Sequence, residues 1–145
     1  MNSKISIIQC VNDLNLSSGG PSKTVTALSS NLSKLNVDVK ICSQIKQENS
    51  IPLEIKKLNK NISFLNFTEQ KKFTFNPLIY KNLLKKLILE NKNKNNIVIH
   101  DNGIWLPFNN TITTFSRISS IPLIISPHGM LEPWSLKYNF LKKKF

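Results

Sequence analysis

Two hydrophobic rhythms alternate along this chain. Residues 4 to 11, KISIIQCV, are apolar at most positions, as in a strand buried on both faces. A polar loop, NDLNLSSGGPSK, follows, and its Pro21 suits the first turn of a helix. Val25, Leu28, Leu32 and Leu35 then recur at spacings of three, four and three, which predicts one buried helix face. VDVKICS, residues 37 to 43, switches to alternating apolar and polar positions and predicts a second strand. Strand, loop, helix and strand form a βαβ unit, which implies parallel pairing and a right-handed crossover.

Residues 46 to 76 are rich in Lys and Asn with short apolar islands, of which ISFLNF is the expected strand. Tyr80, Leu83, Leu84, Leu87 and Ile88 mark an amphipathic helix whose outer face carries Lys81, Lys85 and Lys86. The polar run ENKNKNN closes it. IVIH (97–100) reads as a short buried strand, residues 108 to 119 as a helix, and PLIIS (122–126) as a further buried strand. Ser135 is expected to cap a last helix. The alternation has no internal repeat and no domain-scale linker. It predicts a single α/β domain over residues 1–145, a doubly wound, Rossmann-like parallel sheet.

Composition changes this picture little. At 145 residues the chain suits one domain with one core. No apolar run is long enough to span a bilayer, and the first residues lack the pattern of a secretory signal. Cys10 and Cys42 lie in apolar runs, as buried free thiols or a disulfide would, and their number and spacing make no metal site. The net charge of +12 favours anionic partners. It is also diluted, since Lys, Asn and Ile fill 56 of 145 positions and Arg occurs once. Scattered lysines without interleaved aromatics argue against nucleic acid as the partner.

Chemistry concentrates in three loops, each following a predicted strand, so a parallel sheet brings them to one edge. Gly19 and Gly20 precede a helix N-terminus, where backbone N–H groups and the helix dipole favour a phosphate; a plain turn uses the same residues. His100, Asp101, Asn102 and Trp105 suit sugar hydroxyls and the C–H face of a sugar ring. Equally, Asp101 could cap backbone N–H groups in a turn, with Trp105 packed in the core. His128, followed by Gly129, can donate to a developing anion or a carbonyl, or serve a structural turn. These two loops hold both histidines, both tryptophans and two of the four glycines.

With the loops in view, the sequence resembles the amino-terminal domain of the family 4 (group 1) retaining glycosyltransferases, two-domain GT-B enzymes of polysaccharide and lipopolysaccharide synthesis. SSGGPSKTVTALSSNLSKLNVDVKI is similar to the family's opening. VIHDNGIWLP is similar to its H-D-H-G-[LIV]-W segment, and ISPHGMLEPWSLKYNFLKKK to the S-P-[RH]-G-M-L-[ED]-P-W-[AS]-L stretch of one subgroup. The resemblance covers nearly the whole chain in order.

It implies transfer of a sugar, with retained anomeric configuration, from a nucleotide-sugar donor to a saccharide or lipid-linked acceptor. The nucleotide-sugar is a co-substrate, and neither a cofactor nor a metal is implied. Gly19 and Gly20 would lie near the donor diphosphate, and His128, the catalytic candidate, near the transferred sugar. Asp101, Asn102, Trp105, Glu132 and Trp134 would shape the acceptor side. Asn102 stands where the family usually has His, so it can hydrogen-bond but not titrate. The expected location is cytoplasmic; the basic segment Lys81 to Lys94 could hold the protein against anionic lipid at the inner membrane face, or could equally be a solvated Lys/Asn surface.

Relatives carry a second doubly wound domain with a Glu-x7-Glu donor motif, which these residues do not include. The chain is therefore expected to be an incomplete, acceptor-side half, with a separately encoded carboxy-terminal domain as an implied partner and little turnover alone. The competing expectation is a non-catalytic remnant that binds a sugar or a partner chain.

Overall fold

The computed structural model describes residues 5–15, 19–35, 37–45, 62–68 and 96–138. The amphipathic helix expected around Tyr80 to Ile88, the basic segment Lys81 to Lys94 and the chain after Tyr138 lie outside the described residues. Among the described residues the elements run β1 (Ser6–Val11), α1 (Gly20–Lys34), β2 (Asp38–Ile45), β3 (Ile62–Thr68), β4 (Ile97–Asp101), α2 (Pro107–Ser119), β5 (Leu123–Ile125) and α3 (Pro133–Lys137). All five strands are parallel, in the order β3-β2-β1-β4-β5. The chain builds outward from β1 on one side, then returns to its other side through β4. The β1/β4 boundary is therefore the topological switch point, the place beyond the strand ends where open α/β sheets bind their ligands.

Side chains alternate across the sheet and fill two cores. On one face Ile8, Cys10, Cys42, Ile97 and Ile99 pack with Phe108, Ile112 and Phe115 of α2 and with Ile121. On the other, Val11, Leu14, Val39, Ile41 and Ile62 pack with Val25 of α1. The two helices lie on opposite faces, so the sheet is doubly wound, as the sequence pattern predicts. Cys10 and Cys42 are register partners on β1 and β2, and both are free and buried. Hydrogen bonding to Cys42 and burial raise the Cys10 thiol well above its ordinary value.

Three expectations are corrected. The buried stripe of α1 runs through Ser22, Val25, Ser29 and Ser33 rather than four large apolar positions; Leu28 and Leu32 are half-buried and Leu35 is 72% exposed. Small serines allow close approach to the sheet, and their hydroxyls can bond to backbone: Ser22 Oγ donates to Asp13 O (2.6 Å) and Ser33 Oγ to Ser30 O (2.8 Å). Among the described residues β5 is an edge strand of three residues rather than a buried one, pairing with β4 alone, with Ile124 and Ile125 exposed. Ser135 sits inside α3; Glu132 is the N-cap and Pro133 opens the helix, where its missing N–H is harmless. No helix among the described residues is long and apolar enough to cross a membrane.

Candidate functional site

The ends of β1, β4 and β5 and their loops form the site. Along β4 the pleat buries Ile97, Ile99 and Asp101, so Asp101 points into the α2 face and is 1% exposed. Its Oδ1 accepts from Asn109 Nδ2 (2.8 Å), and Asn109 Oδ1 in turn accepts from the Leu106 N–H (3.1 Å). Asn109 is the third residue of α2 and bonds back to the N-cap backbone, as in half of a capping box. This chain of bonds ties the end of β4 to the start of α2. Asp101 Oδ2 has no partner among the described residues. Burial pushes the Asp101 carboxyl up to about 6, against the opposing pull of Asn109 and an Asn102 backbone hydrogen bond.

Asn102, 4% exposed, sits at the centre of the second network. Its N–H donates to Cys10 O (2.9 Å), stitching the β4 loop to β1 at the switch point. Its Nδ2 faces three acceptors, Gln9 Oε1 (3.2 Å), Cys10 O (3.1 Å) and His100 O (3.2 Å). Its Oδ1 accepts from His128 Nε2 (2.8 Å). Gln9 is fully buried in the central strand, and its Nε2 has no partner among the described residues.

The loop after β5 reaches this network through a tight turn. Met130 N–H donates to Pro127 O (2.9 Å), with His128 at φ 47 and Gly129 at φ 77 between them. Two successive positive φ values define a type I′ geometry, in which a β-carbon on the first residue is strained by about 1 kcal/mol or more. Glycine relieves the strain at the second position, whereas histidine bears it at the first. Trp105 Nε1 donates to Met130 O (3.3 Å), binding the β4 and β5 loops together. Gly103, at φ +154, permits the approach: a β-carbon there would lie 3.1 Å from Asn109 Nδ2 and 3.4 Å from Met130 Cε.

His100 Nε2 and Ser126 Oγ share a hydrogen bond of 2.8 Å. Burial, and secondarily the nearby His128, hold His100 below its ordinary value. Gly19 and Gly20 open α1 in the loop that follows β1, beside β4. Gly19 caps the helix at φ 108 with no side-chain cap bond. A β-carbon on Gly20 would meet nothing within 4 Å.

Of the residues singled out by the sequence, Asn102 and His128 touch. Trp105 joins their loops through Met130, and Asp101 lies buried beneath rather than open to a ligand. Glu132 and Trp134 are exposed at the start of α3, Trp134 by 71%. Gln9, Ser126 and Asn109 were not anticipated. The one signal for Gln9 was a lone amide inside an apolar strand. Among the described residues no three His, Cys, Asp or Glu side chains cluster as a metal would need.

No protein-family model matches the chain, and no curated protein does either. Its likeness to known proteins is one of shape. UGT2 of Phytolacca americana, solved with UDP-2fluoro-glucose and pterostilbene, superimposes with a TM-score of 0.58 at 10% identity, over 86% of this chain and 31% of that one. A glycosyltransferase from Rickettsia africae gives 0.57 at 17% identity, over 88% and 32%. A short-chain dehydrogenase/reductase from Veillonella parvula, in complex with NADP, gives 0.52 at 14%, over 99% and 58%. The chain spans about a third of the length of the two glycosyltransferases. At these identities the likeness concerns architecture: the chain has a Rossmann-like α/β fold of the kind found in glycosyltransferases.

Proposed function

We propose that this chain is the acceptor-side domain of a family 4-like, GT-B retaining glycosyltransferase. It would help move a sugar from a nucleotide-sugar donor to a saccharide or lipid-linked acceptor in polysaccharide or lipopolysaccharide synthesis. The observation that carries the reading is the joined pair of loops at the switch point, Asn102 to His128 and Trp105 to Met130. It assembles a histidine, amides and an indole at the place where open α/β sheets bind ligands.

In this reading the N-terminus of α1, entered through Gly19 and Gly20, faces the donor diphosphate, because its free N–H groups and dipole attract an anion. His128 stands at the transferred sugar, with Asn102, Trp105, Glu132 and Trp134 on the acceptor side. Asp101 supports that surface from below through Asn109. The nucleotide-sugar is a co-substrate; no further cofactor is required. A carboxy-terminal domain, in this chain's continuation or separately encoded, supplies the remaining donor contacts. The location is cytoplasmic, at the inner membrane face, where the Lys81 to Lys94 segment meets anionic lipid.

The dinucleotide alternative has a shape relative but no fingerprint. The first loop carries only the adjacent Gly19 and Gly20, not the three spaced glycines of G-x-G-x-x-G. Amide chemical-shift mapping with UDP-glucose and with NADP decides between the two. Shifts around Gly20 and Asn102 with UDP-glucose support the proposal, whereas shifts with NADP alone replace it by a dehydrogenase-like domain. Gly20→Ala sharpens the test: the site has room for the methyl, so the fold holds, while a phosphate packed on that backbone loses roughly tenfold or more in affinity.

A further inference from the structure

We propose that Asn102 is a positioning residue that fixes both the orientation and the tautomer of His128, leaving His128 Nδ1 as an open hydrogen-bond acceptor at the cleft. The way the Asn102 amide faces decides which His128 nitrogen carries the proton. Its Nδ2 lies within 3.2 Å of Gln9 Oε1, Cys10 O and His100 O, of which the two backbone carbonyls can only accept. Cys10 O and His100 O are backbone carbonyls, and Gln9 presents its carbonyl end. Turning the amide over would set its oxygen against the two fixed backbone oxygens, Cys10 O and His100 O, in a buried place, at the full penalty of unpaired acceptors. The amide therefore has one orientation, and its Oδ1 points at His128.

An amide oxygen accepts only, so the imidazole nitrogen 2.8 Å from it must carry the proton. That nitrogen is Nε2. In neutral His128 the lone pair is then on Nδ1, on an exposed residue with no partner shown for that atom among the described residues. The ring is held at its tip by Asn102 and at its base by the strained turn, φ 47 at His128 and φ 77 at Gly129. Neutral His128 consequently accepts from an O–H group rather than donating to an anionic oxygen. That this O–H belongs to a sugar rests on the glycosyl-transfer reading above. The lock itself stands on the hydrogen bonds alone. A histidine at position 102, usual in the family that the sequence resembles, has no fixed donor and acceptor ends, because its own tautomers exchange them. An asparagine has, and this gives the substitution a physical consequence.

Long-range imidazole nitrogen–proton spectra of the whole chain, in mildly alkaline buffer where an ordinary histidine is neutral, test the lock. His128→Gln identifies the resonances. The wild type should show one neutral His128 species, with a pyridine-like Nδ1 and a directly observed Nε2–H protected from exchange with water. In Asn102→Ala that Nε2–H signal should vanish, while the circular dichroism and the other assigned amides persist. A protonated Nδ1, or an unprotected Nε2–H in the wild type, overturns the proposal, as does an Asn102→Ala spectrum with its Nε2–H still protected. The wild-type result is decisive should Asn102→Ala fail to fold. All these readings concern the free chain, so they separate failure of the lock from failure of UDP-glucose to bind.

Discussion

At the scale of single residues, the site sets two neighbouring titratable groups against each other. Asp101 has its folded-state carboxyl near 6, above an ordinary aspartate, so the folded chain holds that proton more tightly than the unfolded one. Its stabilising contribution is full below the ordinary aspartate value and lost as pH rises through about 6. His100 is shifted downward, so its contribution has the opposite sign: stability is gained as pH rises through the ordinary histidine range. Comparison with Asp101→Asn isolates the carboxyl. The variant should gain in melting temperature relative to wild type between about pH 4 and pH 7. A constant difference across that range would show that Asp101 titrates normally. The burial of Asp101 was legible in principle, since the period-2 pattern that buries Ile97 and Ile99 carries it inward.

At the scale of elements, the sequence rhythms located strands and helices well where large apolar residues carry the contacts. They failed where small or polar ones do. The α1 stripe was missed because three buried serines carry no hydrophobic signal, and their burial depends on how near the helix lies to the sheet. The end of α2 nearest the site was missed for a related reason: Asn109 reads as a neutral helix residue, yet it joins Asp101 to the Leu106 N–H. Asn109→Ala should therefore lower stability by about 1–3 kcal/mol in urea titration, since it strips both a helix end and a buried carboxyl of their partner. A loss under about half a kcal/mol would mean that the β4–α2 junction rests on packing alone. The type I′ turn was half legible: Gly129 announced a bend, but nothing in the letters says that His128 takes a positive φ as well.

At the scale of the whole molecule, the parallel order β3-β2-β1-β4-β5 gathers a set of loops into a candidate site, and among the described residues it leaves β5 as an edge with Ile124 and Ile125 exposed. Such an edge is a template for pairing with another chain. Ile124→Lys should slow concentration-dependent association in sedimentation velocity without changing the circular dichroism; unchanged association would place the sticky surface elsewhere. The same order has a consequence in time. The central strand β1, from Ser6, is completed on one side by β4, from Ile97, so its partner is made long after it. During synthesis that interval is on the order of ten seconds. Through it the N-terminal strand waits with one flank unpaired, and closing so distant a contact is entropically slow. Of the two strands that flank the switch point, one is thus made well before the other, and the sheet edge between them exists only once the nascent chain has folded back on β1.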